Sequence, residues 1–174
     1  MLGDDVYLSA DYVYNMRVMT TRIVEQTRIA GKGKKVMSAQ DAATEIVDEF
    51  SFFDDWADRY QHLIDQGRRL EAIRQEWRTD DHKLKGCQSI VYFGAELDAD
   101  GFVRFSAESD AAIVQGLIAL LLRVYSGRTP QDILATDAGF LAEIGLDKHL
   151  SATRKNGIAS MLASIKSVAK TYAI

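Results

Sequence analysis

The chain is poor in cysteine and proline, with one of each among its 174 residues. A single thiol, Cys87, cannot close an internal disulfide. Nor can it supply the several thiolates that an iron–sulfur or structural zinc centre takes from one chain. The three histidines, His62, His82 and His149, lie far apart and show no ligand spacing, so no metal site is expected. Cations are also in deficit: 21 Lys and Arg against 25 Asp and Glu leave a formal charge of −4, which argues against a general nucleic-acid binder. Long apolar runs are absent. The most apolar stretch, from Ala111 to Leu122, contains Gln115, is followed by Arg123, and is too short to cross a bilayer. The N-terminus carries acidic residues and no apolar core, unlike a secretory signal. A soluble, cytoplasmic protein with no membrane partner is the expectation. No GxSxG, P-loop or GxGxxG pattern occurs.

What remains has the composition of a packed globular domain, 47% hydrophobic and 26% charged. Two regions differ in character. Residues 1–37 form an N-terminal extension. Within it Tyr12, Met16, Met19 and Ile23 recur at helical spacing, and Gly31-Lys32-Gly33-Lys34-Lys35 reads as a basic hinge. Met37 is a candidate natural start. Residues 38–174 form the compact domain.

Ser38-Ala39-Gln40-Asp41 predicts a helix start, and a second helix is expected from Asp54 to Gln66, ended by Gly67. From Gln88 to Leu97 the pattern turns to β-branched and aromatic residues. Asp98-Ala99-Asp100-Gly101 is a turn, and Phe102 to Ser106 alternates as a half-buried strand. A third, shorter strand is expected just before Gly86. Helices then return: one capped by Ser109 or Asp110 and running to Tyr125, one started by Thr129-Pro130-Gln131-Asp132, a short one ending at Gly145, and a last one capped by Ser151. This order predicts an α+β fold, a small three-stranded antiparallel sheet with helices packed on one face.

Cys87 is the first residue that could carry chemistry. It lies in Lys83-Leu84-Lys85-Gly86-Cys87-Gln88-Ser89, where Gly86 permits a tight loop and the lysines could favour the thiolate. The plain alternative is a small buried hydrophobe. Asp110 reads as a helix cap. Arg154 stands in the first turn of the last helix, where a cation is mildly unfavourable, hinting at a partner elsewhere. His149 reads as packing or capping.

Four stretches in order, Ile46 to Gly67, Lys85-Gly86-Cys87-Gln88-Ser89, Ser109 to Pro130 and His149 to Gly157, resemble the SufE family of sulfur acceptors. The resemblance covers Ser38 to Ile174. It implies a fold similar to the U-type iron–sulfur scaffolds. It also implies that Cys87 accepts sulfur as a persulfide from a pyridoxal-phosphate-dependent cysteine desulfurase, stimulates that enzyme, and passes the sulfur to an iron–sulfur cluster scaffold. Pyridoxal phosphate would belong to the desulfurase, so this chain would hold no cofactor. By the same resemblance Asp110, Arg154, Gly86, Gln88 and Ser89 would position the loop or the partner. The chain would be an accessory of sulfur transfer rather than a stand-alone enzyme. Ala152 departs from the family's usual proline, Tyr92 from its frequent Trp, and Glu108 from its common Asp. A docking module that carries no sulfur, a family branch serving another desulfurase, and a homodimer are left open.

Overall fold

The computed structural model describes residues 37–173. The helix and the basic hinge expected in the N-terminal extension lie outside them. Helix α1 (Ala39–Ser51) starts where Ser38 predicts: the Ser38 hydroxyl accepts from the Asp41 N–H at 3.0 Å, and the Asp41 carboxylate accepts from the Ser38 N–H at 3.2 Å. Helix α2 (Trp56–Arg68) is capped by Asp55, which accepts from the Asp58 N–H. Strands β1 (Val91–Leu97) and β2 (Val103–Ser109) pair antiparallel, with Phe93 opposite Ala107 and Ala95 opposite Phe105. Helix α3 (Ala112–Tyr125) follows, then α4 (Pro130–Ala135), α5 (Phe140–Glu143), α6 (Leu146–His149) and α7 (Ala152–Tyr172).

The sheet has two strands among the described residues, where the sequence suggests three. The reason lies in the chain just before Gly86. A short 3-10 turn occupies Asp80–His82, and Gly86 turns the backbone away at φ +86°. The extended piece between them is too short for a ladder. It makes a single bridge, Lys83 against Tyr92, with the Leu84 N–H donating to the Val91 carbonyl at 2.9 Å.

The period-two pattern places Val91, Phe93, Ala95, Val103, Phe105 and Ala107 on one buried face. Helix α3, apolar nearly all round, packs on it and forms the centre of the core with Phe50, Leu63 and Ile165. The opposite face is strapped by the Gln75–Trp77 turn. A Cβ at Gly94 would lie 2.2 Å from the Trp77 ring, so the indole rests directly on that glycine's backbone. Arg74 pairs with Glu96, and Arg78 with Glu108 at 2.7 Å, across the same face.

Gly67 does not end α2. The helix continues to Arg68, and Gly67 is buried where α2 meets α3. A Cβ there would stand 2.6 Å from the Gly116 nitrogen, and one at Gly116 would stand 2.4 Å from the Leu63 carbonyl oxygen. Paired glycines let the two helix backbones touch. Asp132 does more than open α4: its carboxylate accepts from the Ala39 N–H at 2.8 Å and ties the start of α1 to α4. Lys166 on α7 donates to the carbonyls of Ile133, Leu134 and Thr136 at the end of α4, and the Tyr125 hydroxyl also donates to the Thr136 carbonyl at 3.3 Å. No described helix is long and apolar enough to cross a membrane.

Candidate functional site

Cys87 stands on the loop that leads into β1, half-buried and facing α7. Its thiol donates to the Gly157 carbonyl across a long 3.9 Å. Beneath the loop lies a cavity of about 340 Å³, walled by Val91, by Ile113, Leu117 and Leu121 of α3, and by Ile158 and Met161 of α7. These walls are apolar because the three elements turn their core faces toward one another. The rim is polar: Gln88, Ser89, Ser151 and Arg154.

Burial pushes the Cys87 thiol above its ordinary pKa, and no neighbouring charge offsets it. The expected help from the lysines is not realised. Lys83 Nζ pairs with Asp80 at 2.6 Å and lies over the Tyr92 ring, while Lys85 is exposed. The loop points the sulfur toward α7 and the lysines elsewhere, so closeness in sequence is not closeness in space. Burial thus disfavours the thiolate, the nucleophilic form.

Asp110 is not the cap of α3. That helix begins at Ala112 without a side-chain cap, and the Gln115 side chain reaches back to accept from the Ser109 N–H at 2.7 Å. Asp110 Oδ1 instead accepts from the Ile90 N–H at 3.1 Å, while the Asp110 N–H donates to the Ile90 carbonyl. The two residues clasp the C-terminal end of the Cys87 loop to the exit of β2. Asp110→Ala is expected to cost less than about 1 kcal/mol in stability, since the bond is exposed, yet to raise the alkylation rate of Cys87 severalfold. An alkylation rate equal to wild type would show that the clasp does not restrain the loop.

Arg154 lines the cavity rim on the first turn of α7. Its backbone N–H is capped by Ser151, and its guanidinium has no carboxylate partner among the described residues. The structure does not pair it with Asp110. Ala152, in place of the family's proline, still begins the helix. His149 packs, as expected: its ring stacks on Trp56 with centroids 3.7 Å apart. Sequence reasoning assigned no role to Gly157 or Ser160, which bear on the loop directly. Their one signal is a glycine within an otherwise continuous helical run.

The site is therefore a lone, shielded thiol on a turn-supported loop over an apolar cavity, in an α+β domain. Residues 44–169 match the family model described as the Fe-S metabolism associated domain SufE. The chain belongs to the SufE family. It is 38% identical over 146 residues to an uncharacterized SufE-like protein of Rhizobium etli, a match that covers 82% of this chain and 97% of that one. A second uncharacterized SufE-like protein, from Rhizobium meliloti, is 39% identical over 130 residues, covering 72% of this chain and 93% of its own. The solution structure of a hypothetical protein from Thermus thermophilus shares the fold, with a TM-score of 0.64 at 18% identity, over 76% of this chain and 96% of that one. Family membership associates the protein with iron–sulfur metabolism.

Proposed function

We propose that this protein is a sulfur carrier between a cysteine desulfurase and an iron–sulfur cluster scaffold, with Cys87 as the acceptor. The observation that supports it most is the setting of the thiol: one cysteine in the chain, half-buried over an apolar cavity, with no second thiol to resolve a persulfide. In the transfer step the Cys87 thiolate attacks the outer sulfur of the donor's cysteine persulfide. A new S–S bond forms on Cys87, the donor's S–S bond breaks, and the donor cysteine leaves as a thiolate that takes up the proton Cys87 gave up. No net oxidation occurs. The cavity walls would shield the acquired sulfur from reductants.

Since burial disfavours the thiolate, the reading requires the donor to draw the loop out or to supply a base. Asp110 would set how readily the loop moves, and Arg154, an exposed cation at the rim without a carboxylate partner, would meet an anionic group of the partner. Gly86 shapes the turn, and Gln88 and Ser89 border the opening. Pyridoxal phosphate belongs to the desulfurase in this scheme. Stimulation of the desulfurase, a cytoplasmic setting and a likeness to U-type scaffolds are parts of the same proposal.

The test is intact mass spectrometry after incubation with an active cysteine desulfurase and cysteine, without reductant. The expected result is a gain of one sulfur atom, removed by a thiol reductant. No gain with a cognate desulfurase shown to be turning over would leave docking as the role.

A further inference from the structure

We propose that Gly157 is a positioning residue for Cys87: its missing side chain is what lets the thiol lie against α7 and face the cavity. The proposal rests on the sulfur-carrier reading for its purpose, but its geometry does not.

Gly157 is the sixth residue of a 21-residue helix. Glycine is a poor choice at such a position, because it gives up the most backbone entropy and adds no side-chain contact. Something else must hold it there. A Cβ built on Gly157 would meet one atom within 4 Å beyond its own helix and chain neighbours, the Cys87 Sγ at 3.4 Å. A methyl there would meet the sulfur at van der Waals contact, and a longer side chain directed toward the loop would enter the sulfur's place.

Between its two fastened ends the loop has little else to hold it down. Among the described residues, 85–89 makes no backbone-to-backbone hydrogen bond, and the thiol-to-Gly157 contact is the hydrogen bond that Cys87 forms. A second touch point lies three residues further along α7, on the same side. There a Cβ on Gly86 would stand 2.8 Å from the Ser160 Oγ. Gly86, at φ +86°, also needs glycine for its backbone. Two glycines, one on the loop and one on the helix, thus bring the loop down onto α7 until the sulfur covers the cavity mouth. Filling the Gly157 position would tip the loop outward and expose the thiol.

The test is the rate of Cys87 alkylation by iodoacetamide in the full chain, followed across pH. Leucine and alanine are both better helix formers than glycine, so neither substitution should unwind α7. The expected order is Gly157→Leu fastest, at least about fivefold above wild type, with Gly157→Ala between the two. The midpoint of the pH profile should fall in Gly157→Leu, because exposure removes the burial that disfavours the thiolate. Asn156→Ala, at the exposed neighbouring position, should alkylate at the wild-type rate. Equal acceleration in Asn156→Ala would trace the effect to the helix rather than the seat and overturn the proposal. So would a folded Gly157→Leu with the wild-type rate and midpoint.

If Gly157→Leu fails to fold, Ser160→Leu presses on the loop at Gly86 and is expected to accelerate alkylation likewise. A folded Ser160→Leu at the wild-type rate counts against the seat. Sulfur uptake from the desulfurase is scored separately. Faster alkylation in the Gly157 variants, with no uptake even by wild type, would uphold the seat while the carrier reading falls.

Discussion

Cys87→Ser is expected to gain no sulfur when incubated with an active desulfurase and cysteine, under conditions in which the wild-type chain is expected to gain one atom. The substitution exchanges one chalcogen for another at nearly constant shape, and the hydroxyl still donates toward the Gly157 carbonyl. A half-buried atom whose one hydrogen bond spans 3.9 Å contributes little to stability, so unfolding should change by less than about 1 kcal/mol. The loss is chemical: an alkoxide is not available near neutral pH, and oxygen does not store sulfane sulfur. The chain has no other cysteine to take over, so the loss should be complete rather than partial. Sulfur uptake by a folded Cys87→Ser would place the acceptor elsewhere and end the reading. Full stimulation of the desulfurase by the same variant would separate docking from carriage.

The largest effect on folding is expected from Gly116→Ala, at about 3 kcal/mol of lost stability. Glycine to alanine within a helix ordinarily stabilises, by roughly 0.5–1 kcal/mol. Here the sign reverses, because the new methyl would stand 2.4 Å from the Leu63 carbonyl oxygen and 2.8 Å from its carbonyl carbon. Those atoms belong to the backbone of α2 and cannot rotate aside. The helices must separate, and the packing of Leu63 against α3 loosens along their length. Gly67→Ala meets the Gly116 backbone in the same way, so its effect should be of the same kind. A thermal melt should drop by about 6–12 °C for a domain of this size. A Gly116→Ala protein that melts at or above wild type would show that the helices yield without cost.

Much of the frame was legible because its signals are local. Ser38, Thr129 and Ser151 each accept the N–H three residues on, as their positions before an apolar period predict. Asp98 to Gly101 forms the hairpin turn, with Gly101 at φ +83°. The family's motifs single out Cys87 as the candidate acceptor, and one thiol in a chain of 174 residues leaves no competitor. What was misread depended on partners distant in the chain. The stretch before Gly86 has strand-like residues, but a turn on each side leaves it a single bridge. Gly67 resembles a helix terminator until Gly116 is brought against it. Asp110 resembles a cap until Ile90, 20 residues earlier, presents a free N–H. Lys83 lies four positions from Cys87, yet its charge is spent on Asp80.

The sequence by itself determined where helices and the hairpin begin, which family the chain resembles, and that a single thiol must carry any sulfur chemistry. Those properties follow from capping, side-chain periodicity and composition, which act within a turn or over the whole chain. Only the tertiary structure decided that the thiol is shielded in a setting that disfavours its thiolate, that a cavity lies beneath it, and that Gly157, 70 residues away, sits against its sulfur. A thiol's protonation and reach depend on what is packed around it, and that packing is assembled from α3, β1 and α7 only when they fold together.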